Sequence, residues 1–123
     1  MSTPTRLDGK WGAVEAELGG NKMPQSLISS ITLTLDGASY ATRVAGVVDK
    51  GTLSLNTDLV PHTIDITGTE GPNKNKTILS IYKQNGDELV VCYNLAGDDY
   101  PETFVSPTNS QILLIRYKRR KQS

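Results

Sequence analysis

Apolar and polar residues alternate along several short segments of the chain, which is the pattern of half-buried β-strands. Segment 31–35 reads Ile-Thr-Leu-Thr-Leu, so its aliphatic side chains lie on one strand face and its threonines on the other. Segments 53–55 and 64–66 repeat this pattern. Because helical periodicity is almost absent, the period of two predicts a protein built from strands.

Three later segments, 78–82, 89–93 and 112–115, are more continuously apolar, which is typical of strands covered on both faces. The dipeptide Asn85-Gly86 favours a tight type I′ turn. We therefore expect 77–84 and 88–95 to form one antiparallel hairpin. The predicted strands are 11–18, 30–36, 39–47, 51–56, 62–68, 77–84, 88–95 and 111–118, with a short extra strand at 102–105.

Turn residues separate these strands, including a predicted turn at 49–51 and polar loops at 67–76 and 96–101. Eight strands with turns every 8–12 residues or so indicate an all-β sandwich or barrel. The one helical candidate is a single turn near 24–29, which would form a lid at one barrel end. The 123 residues fit a single domain spanning 1–123.

Composition narrows the classes of function. The chain has 13 basic and 13 acidic residues, and its apolar runs are too short for a membrane span, so we expect neither strong nucleic-acid binding nor a span. Five basic residues lie at 116–121, which makes the rest of the chain acidic. Segment 1–6 is polar, with no signal-peptide pattern, which favours a cytoplasmic protein unless a leader was removed.

A Gly-x-Trp motif, Gly9 to Trp11, opens the first predicted strand, and further landmarks follow it in order. They are Gly37 with Tyr40, 51–53, 61–66, 69–71, 81–82, 86–89 with Cys92, Pro101 with Phe104, and 113–116. Over about 7–118 this series resembles a family of uncharacterised bacterial domains described as lipocalin-like, with a calycin-type barrel.

The resemblance implies a closed, eight-stranded, antiparallel up-and-down barrel with Trp11 plugging one end. Family members often carry an arginine before the proline that we match to Pro101, but this chain has Tyr100 there. A site that uses that arginine would be absent. The family has no settled biochemical function, so the resemblance bears mainly on the fold.

Reactive residues do not form a recognisable catalytic set, so we expect no enzyme activity, cofactor or metal. Asp65 follows the single histidine, His62, by three positions and falls on the opposite strand face. Cys92, the single cysteine, lies in an apolar strand, where burial raises the pKa of a thiol and leaves it inert. The acidic 96–102 loop lacks the spacing of a calcium loop.

Two binding hypotheses remain, and the first is a small apolar or amphipathic ligand inside the barrel, gated by segment 23–29. An eight-stranded barrel is just wide enough to be filled by side chains or to hold one small ligand. The residues expected to face inward are Trp11, Val14, Ile31, Leu33, Leu35, Tyr40, Leu53, Leu55, Ile64, Ile66, Leu79, Ile81, Val91, Tyr93 and Leu114. Those expected to touch the ligand are Trp11, Leu33, Tyr40, Leu55, Ile66, Ile81 and Tyr93.

The second hypothesis is a protein–protein interaction module, such as an inhibitor or immunity-type protein. It would use an exposed Tyr100 with the acidic residues Asp98, Asp99 and Glu102 to bind a basic partner protein. The resemblance favours the ligand hypothesis, whereas the absence of a signal peptide slightly favours this one. The sequence leaves the oligomeric state open.

Overall fold

The computed structural model describes residues 7–120, which contain nine strands and one helical turn. The elements are β1 (Gly9–Leu18), β2 (Asn21–Lys22), α1 (Gln25–Ile28), β3 (Thr32–Asp36), β4 (Ser39–Val44), β5 (Val47–Asn56), β6 (His62–Glu70), β7 (Thr77–Asn85), β8 (Glu88–Asn94) and β9 (Ile112–Arg119). The predicted helical turn is confirmed as α1, whose Ile28 is buried.

The strands close into an eight-stranded antiparallel barrel. From β3 to β9 each strand pairs with the next one along the chain, and β1 pairs with both β3 and β9. The register of the closing pair runs from Trp11 opposite Arg119 to Leu18 opposite Leu113. β2 is an extra strand that pairs with the end of β1. The prediction of an up-and-down barrel is therefore confirmed.

Trp11 marks one end of the barrel, which we call the Trp11 end. Its side chain is fully buried, and its indole N–H donates a hydrogen bond of 2.9 Å to the carbonyl oxygen of Leu7. The guanidinium of Arg119 lies 4.3 Å from the centre of the indole ring, a cation–π contact. The opposite end carries α1, and we call it the helix end.

Val14 was predicted to face the barrel interior, but it does not. A β-bulge shifts the register between Ala13 and Glu15, and Val14, in between, is 42% exposed. A bulge adds one residue to a strand and breaks the alternation of its faces. Alternation from the inward-facing Trp11 already places Val14 on the outer face, and the bulge then makes Ala16, rather than Glu15, the next inward residue.

The turn between β4 and β5 lies earlier than predicted. Val44 pairs with Val47, and the two intervening residues, Ala45 and Gly46, both have positive φ angles of 50° and 84°. The predicted turn at 49–51 lies inside β5 instead. Two φ-positive residues suit a tight hairpin, so the shorter loop is the physically favoured one.

The β7–β8 hairpin is confirmed, although its loop is shifted by one residue. Asn85 pairs with Glu88, which leaves Gly86 and Asp87 between the strands. The polar loop predicted at 67–76 is also shorter than expected, since β6 continues to Glu70.

Residues 95–111 connect β8 to β9 and pack on the outer wall of the barrel. We call this segment the strap. The sulfur of Cys92 lies 3.5 Å from the carbonyl oxygen of Thr103 and 3.8 Å from that of Val105. Near the helix end, the Ser106 hydroxyl accepts a hydrogen bond of 3.1 Å from the N–H of Gly20. The predicted strand at 102–105 is wrong, because this segment is irregular and packs onto the wall.

Three further predictions of inward-facing residues are wrong. Leu79, Ile81 and Leu114 were expected to face inward, but they lie on the outer wall, where Ile81 and Leu114 pair with Cys92. Ile81 is only 1% exposed there. In β7 the inward residues are instead Ile78, Tyr82 and, paired with the lining residues Ile64 and Tyr93, Ser80. A strand that is apolar on both faces gives no sign of which face is inside.

The expectations for segment 1–6 and for Lys121 lie outside the described residues. The remaining basic residues near the end of the chain belong to β9 or follow it directly, and Arg119 forms a salt bridge of 3.2 Å with Asp87.

Close packing at Gly51 yields a stability prediction. A Cβ atom there would lie 2.8 Å from the ring of Tyr40 and 2.9 Å from the Cα of Gly68, so Gly51→Ala forces overpacking. We expect it to lower the free energy of unfolding by about 2–3 kcal/mol in urea denaturation. Gly37→Ala is the control, because nothing lies within 4 Å and only its positive φ opposes the methyl group. Equal losses in both variants would contradict this packing account.

Candidate functional site

A cavity of about 150 Å³ lies inside the barrel. Its wall consists mainly of aliphatic side chains and tyrosine rings from every strand between β3 and β9. The cavity reaches the surface toward the helix end, where Val44 and Leu95 line it and remain partly exposed. The interior is thus neither packed solid nor as large as the roughly 300 Å³ of a pocket for drug-sized ligands.

Four of the seven residues predicted to touch a ligand line this cavity: Leu33, Tyr40, Ile66 and Tyr93. All four are buried and belong to the core. Strict alternation in β3 and β6 correctly indicated which face of each strand points inward.

The other three predicted residues do not line the cavity. Trp11 is buried at the barrel end beneath Arg119. Leu55 lines a separate depression at the Trp11 end, next to His62 and Tyr82. The inward position predicted for Ile81 is wrong, because the side chain lies under the strap.

Among the described residues, one charged side chain, Asp49, faces the cavity. It is 8% exposed and accepts three hydrogen bonds from neutral donors. The Asn73 side-chain amide donates to Oδ2 at 2.8 Å, the Asn73 main-chain N–H donates to Oδ1 at 3.3 Å, and the Tyr40 hydroxyl donates to Oδ2 at 3.3 Å. We call these three residues the Asp49 cluster.

Neighbouring residues position this cluster. Tyr40 lies on β4 directly opposite Gly51 of β5, and the missing side chain at Gly51 leaves space for the tyrosine ring. Burial, and then the charge of Asp49, raise the pKa of the Tyr40 hydroxyl. Tyr40 therefore stays protonated and can donate its hydrogen bond.

The sequence interpretation missed Asp49 because Asp-Lys-Gly looked like a turn. A signal was nevertheless available. Asp49 lies two, four and six positions before Gly51, Leu53 and Leu55, so it shares their strand face if β5 begins earlier. The segment 23–29, predicted to gate the interior, contributes no residue to the cavity lining, whereas the 71–76 turn contributes Asn73.

Two further tyrosines and a serine are polar groups of the inner wall. The hydroxyls of Tyr93 and Tyr117 are 2.7 Å apart and form a hydrogen bond inside the core. Burial raises the pKa of Tyr93 to about 12 and that of Tyr117 well above its usual value. The Ser80 hydroxyl is fully buried and has no hydrogen-bond partner within residues 7–120.

The acidic loop is tied to the barrel. The side-chain amide of Asn94 donates to the carboxylate of Asp98 and to the main-chain oxygen of Asp99, each at 2.8 Å. The Tyr100 hydroxyl donates a 2.6 Å hydrogen bond to Asp65 on β6, so the tyrosine is half-buried rather than fully exposed. Glu102 is exposed. Partner binding by Asp98, Asp99, Tyr100 and Glu102 stays a prediction.

The other reactive residues lie apart from the cavity. The Nδ1 of His62 is 3.0 Å from the carbonyl oxygen of Leu59, and burial raises the pKa of the Cys92 thiol. Within residues 7–120, no three His, Cys, Asp or Glu side chains are grouped to hold a metal ion. In the same part of the chain the four-residue α1 is the one helix, and it is far too short to cross a bilayer.

Comparison with known proteins supports the architecture. A crystal structure of a DUF4847 family protein from Bacteroides vulgatus aligns with a TM-score of 0.56 over 94% of this chain and 95% of that one. The two sequences are 13% identical, so the similarity concerns the fold alone. No protein-family model and no curated protein matches the sequence. The chain is therefore similar to a β-barrel domain of unknown function.

Ionisation of the buried tyrosines predicts a loss of stability in alkali. An unfolded tyrosine has a pKa of about 10, whereas burial raises the pKa of folded Tyr93 to about 12. The free energy of unfolding should fall as the pH rises from about 10 through 12, by up to about 1.4 kcal/mol per pH unit for each such tyrosine.

Urea unfolding at several pH values measures this loss, and Tyr93→Phe is the comparison that isolates one tyrosine. The fall between pH 10 and 12 should be shallower in that variant, because one group no longer ionises on unfolding. A parallel fall in both proteins would contradict the assignment.

The hydrogen bond between Tyr93 and Tyr117 predicts coupled substitutions. Tyr93→Phe or Tyr117→Phe leaves the other buried hydroxyl without this partner, at a cost of about 1–3 kcal/mol. The double substitution removes both hydroxyls, so it should cost less than the sum of the single ones. Additive losses in a double-mutant cycle would show that the two hydroxyls do not stabilise each other.

Proposed function

We propose that the barrel binds a small apolar or amphipathic molecule in its interior, in a lipocalin-like manner and without catalysing a reaction. The observation that carries this proposal is the cavity itself, about 150 Å³ with a largely apolar wall. Empty apolar cavities are uncommon in close-packed interiors, and each atom in such a wall lacks contacts that a bound ligand would supply.

The cavity limits the size of the ligand. An apolar cavity of about 150 Å³ accommodates a molecule of about the size of benzene. A fatty acid or a larger pigment would not fit without widening the barrel. We therefore expect a ligand with a compact body, placed among Leu33, Ile66 and the tyrosine rings, rather than a long chain.

Polar groups near the helix end give the cavity a preferred orientation. The Asp49 cluster lies on one side of a largely apolar wall, so an amphipathic ligand gains by placing its polar group there. The described residues that line the cavity include no histidine, cysteine, lysine or arginine. Binding without chemistry accounts best for this set of groups.

Filling the cavity tests the proposal. Leu53 lies at the cavity wall and is partly buried, so a tryptophan there should occupy much of the space. We expect wild-type protein to bind benzene and Leu53→Trp to bind it at least about tenfold more weakly, as measured by NMR titration.

The matched control is Val60→Trp, which adds the same ring at a position that is 94% exposed. It should bind benzene as the wild type does, and thermal unfolding checks that both variants are folded. If wild-type protein binds no benzene, or if Leu53→Trp binds it unchanged, the proposed site is not a binding cavity.

A further inference from the structure

We propose that the ligand is a small organic cation, such as a protonated amine, whose charged group pairs with the carboxylate of Asp49 inside the barrel. This inference rests on the proposed function and adds the chemical class of the ligand. It follows from the charge, the hydrogen bonds and the surroundings of a single buried carboxylate.

The described part of the chain places no cation against Asp49. Its hydrogen-bond donors are an amide side chain, a main-chain N–H and a phenol, all of them uncharged. Two of the three contacts are 3.3 Å long, which is at the weak end for hydrogen bonds to a carboxylate. Within residues 7–120, no lysine, arginine or histidine forms a salt bridge with Asp49.

Among residues 7–120, the cavity wall adds no positive charge. Asp49 is the one acidic side chain among the described residues that line the cavity, and none of the others is basic. A buried carboxylate without a counter-ion is costly, and proteins usually pair such a group with a cation. A ligand cation would supply the missing charge, whereas an anion would be repelled and a neutral molecule would gain only a hydrogen bond.

Tyrosine rings make the same wall suitable for an organic cation. Tyr40, Tyr82, Tyr93 and Tyr117 all contribute to the lining, and Tyr40 also contacts Asp49. The negative faces of aromatic rings attract ammonium groups, and their apolar bodies pack against hydrocarbon. An ammonium joined to a compact apolar body therefore matches both parts of the cavity.

The carboxylate also has capacity for another donor. An ionised carboxylate offers about four acceptor positions, and the Asp49 oxygens receive three donors from Tyr40 and Asn73. An ammonium group carries three N–H donors, so one can fill the remaining position while the charge is neutralised.

Three probes of similar size separate charge from shape: benzylamine, benzyl alcohol and benzoate. We expect wild-type protein to bind benzylamine at least about tenfold more tightly than benzyl alcohol, and benzoate most weakly, by calorimetry at neutral pH. In Asp49→Asn the preference for the amine over the alcohol should fall to about twofold or less, with the alcohol still bound.

The charge-matched control is Asp58→Asn, which removes one negative charge from an exposed loop. It should retain the preference of the wild type, because an exposed charge is screened by solvent and salt. The comparison of probes on wild-type protein does not depend on any variant, so it remains informative if Asp49→Asn fails to fold.

The outcomes distinguish this inference from the proposed function. Equal binding of benzylamine and benzyl alcohol by wild-type protein overturns the cation inference but leaves a binding cavity. Absence of binding for benzene and for all three probes overturns both. If Asp49→Asn loses stability but keeps the preference for the amine, Asp49 only braces the 71–76 turn through Asn73, and the inference is wrong.

Discussion

The pairing of β1 with β9 is the constraint on which the rest of the structure depends. It joins the first and last strands of the barrel along nearly their whole lengths, so no barrel strand is left with an unpaired edge. Closure also fixes the diameter, because eight strands leave an interior only slightly larger than the side chains that fill it. The small cavity follows from that geometry and from the residues that face it.

Much of the barrel could be predicted because its strands alternate strictly or end at strong turn residues. The inward positions in β3, β6 and β8 were correctly assigned at Leu33, Ile66 and Tyr93. Errors arose where the local pattern carried no information about faces. β7 is apolar on both sides, so Ile81 was assigned to the wrong wall. The error at Val14 has another origin, because alternation from Trp11 already places Val14 on the outer face, and the bulge after Ala13 changes only the positions that follow.

The candidate site was only partly predictable, for a related reason. Asp49 belongs to a sequence that suits a turn, and it becomes an inner-wall residue only because Ala45 and Gly46 form the turn four residues earlier. Its partner Asn73 comes from the turn between the next two strands. Contacts between separate hairpins depend on the closed geometry, which local periodicity does not contain.

The strap has a consequence for the single thiol of the chain. With the strap in place, the sulfur of Cys92 is enclosed by the main chain of Thr103 and Val105, and its raised pKa keeps it in the unreactive protonated form. A thiol reagent can reach that sulfur only when the strap lifts from the wall. The rate at which a thiol reagent labels Cys92 therefore reports how often the strap opens locally while the barrel beneath it stays closed.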